Sequence, residues 1–299
     1  MRITVNGRPL VLEAREGGSL GELLAGADDV IEKSGSVIVS LKVDGRDVDA
    51  EGYAEVSGLP ASSVGDVEIR AEDSAAVRIR ALETLLELLA LAGSSASDDS
   101  PERHRDWPGI RAGASDMSDA FAGLFPADEL SFVKLFSDLL DKAGDEPDRA
   151  SRIEISAQAD RIRSLFSERL AELRDPAGEM RAAAALFAEK SSELAELPVL
   201  LQTGKEPQAM KAVLYFIEIF NKVIRILPEL RRAGIDTSSI RIEGRPLPEF
   251  YDSFNEVLRG LIDGLEHRDA VLIGDLAEYE VLPRMRSFFS SMAEVLPAS

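Results

Sequence analysis

The sequence predicts an α+β N-terminal domain followed by a mainly α-helical bundle with a small strand-like insertion. Three observations carry that prediction. Residues 1–73 alternate apolar and polar side chains around two tight-turn pairs, Asn6-Gly7 and Asp44-Gly45. From Asp119 onward, apolar residues recur at helical spacing. Within that helical text, Ile240-Arg241-Ile242-Glu243-Gly244 alternates and then turns. The predicted organisation is a domain over 1–73, a connecting helix over 74–92, a flexible linker over 93–118 and a helical bundle over 119–299.

The N-terminal elements follow in order. Ile3 and Val5 share one face of a strand, Asn6-Gly7 turns it, and Leu10 and Leu12 return with Val11 opposite. This makes residues 1–15 a β-hairpin. Ser19 stands at a helix N-cap with Glu22 three residues on, the capping-box spacing. Leu20, Leu23, Leu24, Ala27, Val30 and Ile31 form the apolar stripe of that helix. Val37, Val39, Leu41 and Val43 make a period-two strand, and Val48 begins its return. Val64, Val67 and Ile69 supply the last strand, ending near Glu72.

That order and length resemble the β-grasp fold of ubiquitin and the small sulfur-carrier proteins. Those proteins act through an exposed terminal Gly-Gly. Here the domain ends in Ile69-Arg70-Ala71-Glu72-Asp73 and the chain continues, so carrier chemistry is not expected. The resemblance then implies a small docking domain whose sheet face or edge takes a partner. Residues 1–73 hold 15 Asp/Glu against 7 Lys/Arg, a net of −8, which favours a basic partner over a polyanion.

Between the domains, Val77, Ile79, Leu82, Leu85, Leu86, Leu88, Leu89 and Leu91 mark a leucine-rich helix that needs another apolar surface. Residues 93–116 then turn to Ser, Asp, Gly and Pro, the composition of a flexible linker. His104 reads as a solvent-facing residue there. Trp107, ahead of Pro108-Gly109, reads as the anchor of the linker to the body.

The bundle helices are Leu130 to Lys142, Arg149 to Leu173 and Glu179 to Leu197, separated by Pro147 and by Asp175-Pro176. Two more apolar helical patterns run from about Pro207 to Leu230 and from about Arg268 to Met292, with Phe250 to Leu265 between them. The Pro207 helix has an apolar arc wide enough for a central bundle helix. Pro283 is expected to bend or divide the last one. Gly204-Lys205 lacks both the upstream glycine and the following hydroxyl of a phosphate loop, so it reads as a turn. The bundle text also resembles uncharacterised bacterial helical-bundle proteins and, loosely, flagellar and secretion chaperones. Those are acidic bundles that hold apolar helical segments of their clients.

Composition narrows the function classes. The formal charge of −20 disfavours nucleic acid and anionic lipid. With no cysteine and only His104 and His267, thiolate chemistry, Cys-ligated metal and His-rich metal sites are excluded. No cofactor, metal or catalytic residue is expected. No stretch reaches about 20 apolar residues, so no membrane insertion is expected. The first residues lack a secretory pattern, and a cytoplasmic location is the expectation.

The candidate partner-binding residues are Tyr215, Glu218, Arg241, Asp275, Glu278 and Tyr279. Tyr215 and Glu218 are polar members of an apolar helix, and Arg241 sits in the strand-like insertion. Asp275 and Glu278, three apart, share one helical face beside Tyr279. The leading reading is a noncatalytic adaptor or chaperone-like protein that holds a partner helix. It expects the Leu82–Leu91 stripe, or a groove beside Tyr215 and Tyr279, to be open. The alternatives are a structural or regulatory homo-oligomer, and a small-ligand or divalent-metal sensor. The sensor needs Glu218, Asp275 and Glu278 to converge in one cavity.

Overall fold

The computed structural model describes residues 1–12, 17–97 and 106–297. The chain divides into two compact units, Met1–Leu170 and Ala171–Ser299.

The first unit opens with a five-stranded sheet. β1 (Arg2–Val5) and β2 (Arg8–Pro9) form a hairpin across Asn6-Gly7, whose φ values of 51° and 76° are those its tight turn demands. β3 (Ser36–Val43) and β4 (Arg46–Val48) repeat the device across Asp44-Gly45. β5 (Asp66–Asp73) enters the middle of the sheet, parallel to β1 and antiparallel to β3, giving the order β2-β1-β5-β3-β4. Two side chains fix β5. The Asp44 carboxylate accepts from the N–H groups of Gly65 and Asp66 at 2.9 and 2.8 Å. The Asn6 carboxamide donates to the carbonyl of Ala71 and accepts from its N–H, so it continues the ladder where β1 ends.

α1 (Leu20–Lys33) covers one face of this sheet. The Ser19 hydroxyl accepts from the N–H of Glu22, as the capping sequence requires. Leu20, Leu23, Leu24, Ala27 and Ile31 pack into one core with Ile3, Leu41, Val43, Val67 and Ile69.

Two expectations about this region need correcting. The returning strand of the first hairpin has only two residues, although Leu10 and Leu12 still pack on the core and Val11 is 90% exposed. Residues 13–16 lie outside the described residues. A further helix, α2 (Ala50–Ser57), stands between β4 and β5; the Asp49 carboxylate caps it by accepting from the N–H of Gly52.

α3 (Ser74–Ser97), α4 (Trp107–Phe121), α5 (Ala127–Ala143) and most of α6 (Arg149–Arg174) complete the unit. Of the flexible linker expected over 93–118, the described residues are helical: α3 continues to Ser97 and α4 starts at Trp107. Trp107, Ile110, Ala114 and Phe121 recur at i, i+3, i+7 and i+14 and are all buried. Tertiary burial of that stripe overrides the poor helix propensity of its Gly and Ser neighbours. His104 lies outside the described residues. α4 packs between α3 and α5. Of the two surfaces one of which is expected to be open, the Leu82–Leu91 stripe is closed at Leu82, Leu85 and Leu89, which are buried.

The second unit takes the last turn of α6 and then α7 (Pro176–Ala195), α8 (Leu197–Gln202) and α9 (Glu206–Arg232). Asp175 caps α7 through the N–H of Gly178, with Pro176 as its first residue. Thr203 closes α8 by donating to the Val199 carbonyl, and Gly204 turns the chain at φ 72°. β6 (Arg241–Ile242) and β7 (Arg245–Pro246) make the expected strand-like insertion a two-stranded hairpin across Glu243-Gly244. α10 (Leu247–Glu266), α11 (Ala270–Asp275), a π-helical turn (Leu276–Val281) and α12 (Leu282–Val295) follow. The π turn ends just before Pro283, which has no N–H for the helical ladder and a ring that crowds the preceding turn. The core is aromatic: Phe216, Phe220, Phe250, Tyr251, Phe254 and Phe288 form a chain of ring contacts. Among the described residues no helix is long and apolar enough to cross a membrane.

Candidate functional site

The second unit carries a cleft of about 390 Å³ between α9 and α10. α9 sends Val213, Ile217, Phe220, Asn221 and Ile224 into it; α10 sends Asn255, Leu258, Arg259, Leu261 and Ile262. The spacing explains why. On α9 the lining residues recur at i, i+4, i+7, i+8 and i+11, and on α10 at i, i+3, i+4, i+6 and i+7, one face of each helix. Phe220 meets Tyr251 while Phe216 meets Phe254, so residue numbers rise on one helix as they fall on the other. That is the register of an antiparallel pair. These rings hold the helices far enough apart to leave a groove above them.

Val213, Phe220 and Leu261 form a buried floor. The walls are open, with Ile224 43% and Ile262 47% exposed. Met210 and Leu214 are also exposed and extend the stripe toward the start of α9. An apolar surface left in water at about 25 cal/mol per Å² favours being covered.

The polar groups at the groove are two amides and one guanidinium, Asn221, Asn255 and Arg259. Arg259 makes no ion pair among the described residues. The basic residues on the far side of α9 are already engaged: Lys222 with Glu179 at 2.6 Å, and Arg225 with the buried Glu172 at 2.7 Å. Outside the groove lining, against the ring of Phe220, burial pushes the Tyr251 phenol up, well above the ordinary tyrosine range, and its hydroxyl has no hydrogen-bond partner among the described residues. At the end of α10, the His267 imidazole is held above the usual histidine range by its hydrogen bond to the Asp263 carbonyl and by the Asp263 carboxylate.

None of the six residues singled out from sequence lines this groove. Tyr215 points to α7, its ring 5.6 Å from the Lys190 ammonium and 5.8 Å from that of Lys211. Glu218 is exposed on α9. Arg241 is exposed and donates to the carbonyls of Ser238 and Ile240, which stiffens the hairpin approach. Asp275 and Glu278 are exposed, Tyr279 is 66% exposed, and Glu280 pairs with Arg284 at 2.7 Å. Among the described residues no group of three or more His, Asp or Glu side chains is placed to hold a metal ion. The residues that do form the groove had one signal in the sequence. α9 has more apolar positions than a single buried face needs, and the excess marks Leu214, Ile217 and Ile224.

The groove lies inside a recognisable segment. Residues 179–290, from α7 into α12, match the model of a domain of unknown function (DUF8042). Residues 1–72 match a model described as the TP0873 N-terminal domain. An uncharacterized protein of Treponema pallidum (strain Nichols) is 27% identical over 97 residues, which is 32% of this chain and 48% of that protein. The chain thus spans about half the length of the curated relative it matches. No solved structure matches.

Proposed function

We propose that this chain is a noncatalytic protein-binding adaptor or chaperone-like protein, and that the α9–α10 groove holds one amphipathic helix of its partner. The observation that carries the reading is the groove itself, an apolar trough with a buried floor and exposed walls. Its lining runs from Val213 to Ile224 on α9, which at 1.5 Å per residue is about 17 Å, or three turns of helix. A partner helix with apolar residues at i, i+3 or i+4, and i+7 fills such a trough. Asn221, Asn255 and Arg259 then set its register. Residues 1–73 are read as a β-grasp-like docking domain. What supports this is the sheet order, with the first and last strands adjacent and parallel, and α1 packed across one face.

The test is affinity capture from native extract, using the wild-type chain beside Ile224→Glu and Ile262→Glu. Both residues are wall positions exposed enough to accept a charge without loss of the fold. A stoichiometric partner retained by wild type and weakened roughly tenfold or more by each variant is the expected result. A partner held equally by all three proteins overturns the assignment of the groove.

A further inference from the structure

β3 is paired unequally on its two sides. β5 runs beside it from Ser36 to Val43. β4 pairs only with Leu41, Lys42 and Val43, because Asp49 then caps α2 and the chain leaves the sheet. Among the described residues no main-chain hydrogen bond reaches the outer side of Ser36–Ser40. Unpaired edges are blunted by charge, by proline or by a β-bulge that bends the strand. Ser36-Val37-Ile38-Val39-Ser40-Leu41 has no charge and no proline, in a chain that is 29% charged, and its one such device is a bulge. A β-bulge between Ile38 and Ser40 bends the strand. It keeps Ile38 and Leu41 toward the core and leaves Val39 outside, 39% exposed.

The surroundings are mainly acidic: the cations on or beside β3, Lys33, Lys42 and Arg70, are paired with Asp29, Asp47 and Glu72, and Arg46 lies beyond the open stretch, opposite Val43. α1, packed on β3, presents Asp28 and Glu32, and α2 presents Glu55. All three are exposed and make no ion pair among the described residues. Residues 1–73 carry a net charge of −8.

We propose that the outer side of Ser36–Ser40 is a docking site for an extended, basic peptide segment of a partner, which adds to the sheet beside β3. Backbone N–H and C=O groups on an open edge recognise another extended backbone. The acidic flanks of α1 and α2 select lysine or arginine at the ends of that segment and repel acidic ones. This site does not depend on the α9–α10 groove, and either can fail without the other.

The experiment is amide hydrogen exchange on the full-length chain with a synthetic peptide at millimolar concentration, three valines alternating with two threonines between two lysine pairs. Exchange over residues 36–43 is expected to slow, while an N-methylated peptide that cannot complete the ladder, and one with glutamate in place of lysine, bind roughly tenfold more weakly or less. Val39→Lys, a charge placed on the exposed edge, is expected to weaken the lysine peptide to the same extent. If that variant lowers the thermal midpoint, the N-methylated peptide alone decides. Unchanged exchange over 36–43 overturns the proposal, as does equal binding of the N-methylated or the glutamate peptide. A peptide-free dimer that Val39→Lys dissociates also overturns it, since a second copy then occupies the edge.

Discussion

Glu172 is 0% exposed, in the last turn of α6, and it is ionisable. It is tolerated because Arg225 grips it from α9. The Arg225 guanidinium donates through Nη2 at 2.7 Å and through Nε to both carboxylate oxygens. A fork-to-carboxylate contact of this kind satisfies the acid geometrically as well as electrostatically. Losing one partner is worse than losing both, because it strips a buried charge of this bidentate contact in a low-dielectric site. Arg225→Met is therefore expected to destabilise the second unit by about 3–5 kcal/mol. The Glu172→Leu/Arg225→Met double variant should recover most of that. Urea denaturation of the three proteins checks it, and a double variant no better than Arg225→Met rules out the pair as the reason for the loss.

At the scale of elements, the close packing around α11 rests on glycine. A Cβ on Gly274 would lie 2.6 Å from Cγ of Pro198 in α8, a ring that cannot swing aside. A Cβ on Gly260 of α10 would meet only Cδ1 of Leu276, at 3.2 Å, the end of a flexible side chain. Alanine gains about 1 kcal/mol of helix propensity over glycine at either site. At Gly260 that gain offsets a small adjustment. At Gly274 overpacking wins, and Gly274→Ala is expected to cost about 1–3 kcal/mol while Gly260→Ala stays near neutral. Thermal denaturation of the two variants side by side gives the answer, and equal midpoints would refute the role given to Pro198. The same elements show what the sequence made legible. The tight turns at Asn6, Asp44 and Glu243, the Ser19 cap, the division at Asp175-Pro176 and the disturbance before Pro283 each follow from local chemistry. α2 did not, because a glycine-containing helix of eight residues has too little periodicity to register. α4 did not either, because its buried stripe is spaced among residues that alone favour loops. The groove depends on how far apart two helices sit. That distance is set by rings meeting across α9 and α10, and no local pattern in either helix reports it.

For the whole molecule, charge decides how an open apolar groove behaves in water. Residues 1–170 carry 19 Lys/Arg against 33 Asp/Glu, a net of −14. Residues 171–299 carry 15 against 21, a net of −6. Two copies that meet through their grooves carry a net charge of −40, twice the −20 of one chain. Self-repulsion of that kind keeps proteins apart at low ionic strength and fades once the Debye length falls to about 3 Å in 1 M salt. An adaptor whose groove waits for a foreign helix should therefore scatter light as a single chain of 32.4 kDa at low salt. In high salt the exposed walls are less protected, and weak self-association through them is expected there. Ile224→Glu should abolish it, because a charge placed in the apolar wall must be desolvated in any contact. A dimer stable at low salt and dissolved by Ile224→Glu would give the groove to a second copy and favour the homo-oligomer. A dimer indifferent to Ile224→Glu would place self-association elsewhere and leave the groove free for a partner.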